Sequence, residues 1–171
     1  MPESQDLVVN TGPVLALVAA LGDLQILRMY RHVWVPFEVC QEVGAGGAAH
    51  FAVPEFNEAN WLRKASEPLQ IAPVLLNMLD QGEAAVIQLA LDKAVSTVCI
   101  DEAAGRRVAR LHNLAVTGSI GVLLRALRKG YSFSMAEAIE RMQEHGVWLS
   151  PSVRAFALAQ AATLTEHRTQ D

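Results

Sequence analysis

Four residues of this chain have the types and the placement to gather around a metal ion: Asn10, Glu42, Glu83 and Asp101. Asn10 ends the apolar run Leu7-Val8-Val9 and precedes the turn Thr11-Gly12-Pro13. Asp101 follows Val98-Cys99-Ile100 in the same way. In an open α/β sheet, both would leave the carboxyl ends of strands, where such sheets bind ligands. Glu42 and Glu83 sit at similar junctions, so the three acids are expected to converge on Asn10. Carboxylates around one point repel one another unless a cation neutralises them. Mg²⁺ and Mn²⁺ take oxygen ligands, with water completing the octahedron, and such an ion activates a bound water. Thr11 and Ser119 offer hydroxyls to waters just outside the ligands, although a turn or cap is the commoner role of such residues.

Each acid also has an ordinary structural role open to it. Asp101 could cap the helix that follows, which is worth ~1 kcal/mol. Asp80-Gln81-Gly82-Glu83 fits a capping box, with Asp80 as the cap and Glu83 as its partner. Glu42 could be a solvated helix residue, and Glu38 competes with it for any role. Arg106, Arg107 and Arg110 follow Asp101 on one helix; Arg125, Arg128 and Lys129 lie on the next. Both helices are expected to start near the site, and Arg106 and Arg110 share a face. They are candidates for phosphate contact, with ordinary solvated charge as the alternative. The five histidines are scattered, with no pair at the spacing of a helical zinc site. Trp34, Trp61 and Trp148 are expected in the core or an interface rather than as base-stacking platforms.

The elements needed to position these residues are legible as alternation. Asp6 to Val9 reads as a buried strand, and Val14 to Leu21 as a helix with Pro13 at its start. A second helix is expected over Leu24 to Tyr30, with Asp23 as its cap. His32 to Val35 is a strand and Phe37 to Val43 a helix. Gly44-Ala45-Gly46-Gly47 suggests a hinge or loop beside the site. Ala48 to Phe56 reads as helix and then loop. Trp61 to Ala65 suits an edge strand guarded by its lysine and arginine. Pro73 to Leu79 and Ala84 to Asp92 are helical, Val95 to Ile100 is the clearest buried strand, and Asp101 opens a helix to about His112. Leu114 to Val116 is a strand and Ile120 to Arg128 a helix. Ser134 and Ser150 then start two C-terminal helices. Strands alternating with helices argue for a parallel sheet between helix layers.

Composition narrows the function classes. A chain of 171 residues that is 51% hydrophobic suits one ordered domain. Its net charge of −4 excludes a general nucleic-acid footprint, so any RNA contact must be local. Cys40 and Cys99 sit in apolar contexts and are expected to be reduced thiols of a cytoplasmic protein. Met-Pro-Glu-Ser-Gln-Asp is too polar for a signal peptide. No apolar run approaches the roughly 18 residues of a membrane span.

Several segments resemble the PIN-domain family of metal-dependent ribonucleases, especially the branch near the VapC-type toxins. They are Val8-Val9-Asn10-Thr11-Gly12-Pro13-Val14-Leu15-Ala16-Leu17; Val35-Pro36-x-x-Val39-x-x-Glu42-Val43; Leu79-Asp80-x-Gly82-Glu83-Ala84-x-x-Ile87-x-Leu89-Ala90; Ile100-Asp101-Glu102-x-x-Gly105-Arg106-Arg107-Val108-Ala109; and Val116-Thr117-Gly118-Ser119-Ile120-Gly121-Val122-Leu123-Leu124. They occur in the family's order. The resemblance implies a three-layer α/β/α sandwich with a central parallel sheet: one PIN-like domain over 1–171, with core motifs at 7–130 and C-terminal helices over 134–165. It implies an acidic quartet at Asn10, Glu42, Glu83 and Asp101 that binds Mg²⁺ or Mn²⁺, and metal-activated water hydrolysing an RNA phosphodiester. It further implies the toxin of a toxin–antitoxin pair, with a small antitoxin protein as partner and a homodimer as the assembly. Asn10 departs from the pattern, since the family's first member is normally Asp. A catalytically degenerate module that binds RNA or protein is the alternative. A phosphate-accepting receiver-like or phosphatase domain is a third reading, disfavoured by Asn10 at the nucleophile's position.

Overall fold

A computed structural model describes residues 5–46 and 50–169. Five strands form one all-parallel sheet in the order β3-β2-β1-β4-β5: β1 (Leu7–Val9), β2 (Val33–Val35), β3 (Arg63–Lys64), β4 (Thr97–Cys99) and β5 (Ala115–Thr117). Register pairs Val8 with both Trp34 and Val98, so β1 is central. The apolar run of β1 is wholly buried, as expected for a parallel strand covered on both faces. The edge strand β3 carries Arg63 and Lys64, the gatekeeping charges anticipated there.

The chain leaves β1 toward β2 through α1 (Thr11–Leu21), and returns from the β3 edge to β4 through α4 (Pro73–Met78) and α5 (Gln81–Asp92). Right-handed crossovers therefore place α1 and α5 on opposite faces. Then α6 (Ala103–Leu111) connects β4 to β5, and α7 (Ser119–Arg128) follows β5. α1 packs against α7 and α8 (Met135–Glu144), while α9 (Pro151–Arg168) packs against α7 and α8. α2 (Phe37–Ala45) touches both α1 and α5. The result is the expected three-layer α/β/α sandwich. The strand order reverses between β1 and β4, so the crevice at their carboxyl ends is where ligands bind in such sheets.

Several boundaries moved. α1 begins at Thr11 rather than Val14, because Thr-Gly-Pro is tolerated in a first helical turn, whose N–H groups have no partner within the helix. Residues Gln25–Met29 form a 3₁₀ helix; Asp23 still accepts from Gln25 N at 2.9 Å. Gly44 and Ala45 belong to α2 rather than to a hinge. Gly47, Ala48 and Ala49 lie outside the described residues, and α3 (Val53–Glu58) follows them. No helix among the described residues is long and apolar enough to cross a membrane.

Candidate metal centre

Asn10 is the first residue past β1, and its N–H donates to Cys99 O of β4 at 3.0 Å, which zips the two strand ends together. It occupies the N-cap of α1, yet its side chain makes no cap hydrogen bond. Its Oδ1 is buried with no protein partner. An amide oxygen left so costs free energy unless water or a ligand takes it.

The neighbouring Thr11 donates its hydroxyl to Glu42 Oε2 at 2.5 Å, which draws Glu42 from α2 toward the end of β1. The same carboxylate lies against Gly82 at the start of α5, where a Cβ would collide with it. Glu83 comes next in α5 and is only 3% exposed. Its carboxylate lies over Gly105 of α6, where a Cβ would fall 2.9 Å from Oε1. Asp101 repeats the pattern: a Cβ on Gly118 would fall 2.6 Å from its Oδ1. Gly82, Gly105 and Gly118 thus each leave room for one of the three acids.

Asp101 does cap a helix, but not the expected one. Glu102 takes the N-cap position of α6, while Asp101 Oδ1 accepts from Ser119 N at 2.7 Å, the first residue of α7. Ser119 is therefore 98% buried and tied through its backbone. The hydroxyl role expected of Thr11 also changes, since it binds Glu42 directly.

The Asp80 half of the capping box is present: Asp80 Oδ1 accepts from Glu83 N at 2.8 Å. Glu83's own Oε1 is buried without a partner. Asp80, Glu83 and Glu102 bring ligand oxygens within 4.8 Å of one another. Burial, reinforced by the Asp80 and Glu102 charges, pushes the Glu83 carboxyl up to about 7. Three crowded acids with an orphaned carboxylate oxygen on Glu83 suit a hard divalent cation, which accepts oxygen donors and cancels their repulsion. The residues fit the group that the fold calls for. Asp80 and Glu102 were not among the expected ligands. Its place at the start of α5 accounts for Asp80 as a cap, and Glu102 follows Asp101 directly in the chain.

Glu38, the competitor to Glu42, is also buried, and its Oε2 has no partner. Its Oε1 accepts from Leu69 N at 2.9 Å, pinning the segment after β3. Arg106 reaches the strand ends, donating to Ile100 O at 2.8 Å, beside Gly118 and Asp101. Arg107 and Arg110 are exposed along α6. Arg125 is carried the other way, because α7 runs back along the sheet. Its guanidinium lies 5.0 Å from the Tyr30 ring and 3.3 Å from Gln5 Oε1, before the amino ends of β2 and β1. The expectation that it lies near the site is corrected by that geometry.

No match to the chain is found among curated proteins. A family model described as PIN domain matches residues 6–163, and with it the parallel sheet and the acid-lined strand ends. The chain belongs to the PIN-domain family, a nuclease fold.

Proposed function

We propose that this protein is a divalent-metal-dependent ribonuclease whose centre is built on Glu83. The observation that carries the reading is the buried Glu83 carboxylate, unpartnered at Oε1 and crowded by Asp80 and Glu102. Such an arrangement is costly as a structural feature and favourable as a cation site. Asp80, Glu83 and Glu102 would hold the ion, with Glu42, Asp101 and the Asn10 amide oxygen as the further donors around the same strand ends. A bound Mg²⁺ or Mn²⁺ supplies a water of lowered pKa and offsets charge on the scissile phosphate. Thr11 orients Glu42, Gly82 and Gly105 leave space for the carboxylates, and Arg106 offers a cation to a phosphate oxygen. RNA is the substrate that the family membership supports.

The segments shared with the VapC-type branch support a narrower role, the toxin of a toxin–antitoxin pair acting as a homodimer and restrained by a small antitoxin. The free thiols of Cys40 and Cys99 suit the cytoplasm. One observation favours a second reading, a non-cleaving RNA- or protein-binding module: Asn10 brings no charge where the family normally has Asp.

The test is a mixed RNA pool incubated with Mn²⁺ or with chelator, beside Glu83→Gln and Asp101→Asn variants. Cleavage that needs Mn²⁺ and is lost in both variants is expected. RNA binding without cleavage, unchanged by chelator, would establish the non-cleaving module instead.

A further inference from the structure

A groove of about 540 Å³ opens beside Asp101, Arg106 and Ser119 and runs to the segment between α8 and α9. That volume is in the range of small-ligand sites. Its outer wall holds Trp148, Val153 and Phe156. Trp148 is 80% exposed and Phe156 56%. Trp148 is therefore not a core residue, which leaves a contact outside the described chain as the role for this tryptophan.

The exposure is set by the local backbone. Val147 and Leu149 are partly buried and pack on the core, and Val147 N donates to Met142 O at 2.9 Å. Trp148, between these two inward-anchored neighbours, is left facing outward. Ser150 then caps α9 through Val153 N at 3.2 Å, fixing the helix that presents Val153 and Phe156. The aromatic wall is thus held by structure on both sides, and little ordering entropy remains to be lost on binding.

We propose that this groove is a nucleobase subsite. Trp148 is the stacking platform for a base next to the scissile phosphate, and Arg106 contacts the phosphate between them. The proposal rests on the ribonuclease reading of the adjoining centre. Two features favour a nucleotide over a protein segment. The groove is continuous with the candidate centre through Asp101 and Arg106, so a strand lying across the acids runs into it. It also joins one cation to an exposed aromatic face, the pairing that tracks a phosphodiester and its base. Stacking accepts any base, so the subsite adds affinity without strict sequence preference. A base held in a duplex does not offer its face, so the substrate must be unpaired at that position.

The experiment measures binding of a fluorescein-labelled oligouridylate by anisotropy, in Ca²⁺, for the wild type, Trp148→Ala and Trp148→Phe. Cleavage of the same oligonucleotide in Mn²⁺ is assayed separately, and the sedimentation of each protein is recorded. Trp148→Ala is expected to bind about ten-fold more weakly or worse, with Trp148→Phe close to wild type. Wild-type tryptophan fluorescence is expected to be quenched on saturation. Equal affinity in the alanine variant, with cleavage intact, overturns the subsite and leaves the ribonuclease reading standing. Weaker binding without Mn²⁺-dependent cleavage keeps the subsite and removes the ribonuclease. If Trp148→Ala instead converts a dimer to a monomer and leaves RNA affinity unchanged, the groove is an interface between chains and the proposal fails.

Discussion

Asp101, two residues beyond β4, accepts a 2.7 Å hydrogen bond from the backbone of Ser119, the first residue of α7. The contact ties two helix–strand units together and places a negative charge at a helix N-terminus. Asp101 therefore carries both stability and charge, and substitutions should separate them. Asp101→Ala is expected to lose activity and about 1 kcal/mol of stability, a fall in Tm of roughly 2–4 °C at this chain length. Asp101→Asn keeps an acceptor oxygen, so it should lose activity with Tm nearly unchanged. Calorimetry beside an RNA cleavage assay checks the pair; an active Asp101→Asn enzyme would remove the charge from the mechanism.

Thr11 and Gly82 hold Glu42 from two sides, one by a hydrogen bond and one by leaving space. Thr11→Val should weaken Mn²⁺ binding and leave the fold intact, and Thr11→Ser should restore it. Gly82→Ala is the sharper case. In an ordinary helix the change gains up to about 1 kcal/mol. Here the new methyl must displace the Glu42 carboxylate, so metal affinity and activity should fall. Isothermal titration with Mn²⁺ checks both; unchanged affinity in Gly82→Ala would show that Glu42 is not a ligand.

The elements were more legible than the centre. Local rules carry much of the agreement: the buried run around Val98, the charged edge at Arg63–Lys64, and the caps Asp80, Ser134 and Ser150. Where partners come from distant segments, periodicity is silent. Asp101 was a plausible cap for α6, yet the helix it caps is α7, brought alongside by the sheet. Arg125 shares a helix with site-facing Ser119 but lies two turns further down, at the opposite end of the strands. Asp80 meets Glu83 through the cap of α5, but Glu102 joins them only because α5 and α6 lie side by side. The missed signal was glycine: Gly82, Gly105 and Gly118 mark the places where a carboxylate needs room.

Glu83 makes stability depend on pH in an unusual direction. Its carboxyl titrates at about 7 in the folded protein, above the ordinary 4.5. Between those values the folded state holds a proton that the unfolded chain releases, so stability falls as pH rises across the interval. Above 7 the loss is complete; below 4.5 it is absent. In chelator, Glu83→Gln should flatten this slope and melt above the wild type at pH 8. Adding Mn²⁺ at pH 8 should raise the wild-type Tm and leave the variant unmoved. Thermal melts across pH, with and without Mn²⁺, provide the check. A wild-type Tm that rises from pH 5 to 7 in chelator would contradict the assignment.

Asn10→Asp tests the departure from the family pattern directly. Asn10 is 94% buried, and its side-chain oxygen lacks a partner, so the new carboxylate would sit desolvated, next in the chain to the Thr11 that holds Glu42. Without metal it should lower Tm, because a buried charge without a counter-ion is costly. With Mn²⁺ it should tighten binding on the order of ten-fold, or ~1.4 kcal/mol, and raise the cleavage rate at limiting metal. The two opposite effects in one variant are the signature of a ligand position, since a merely structural asparagine would show only the loss. A variant that is destabilised in chelator and gains no metal affinity would place the ion on Asp80, Glu83 and Glu102 without Asn10.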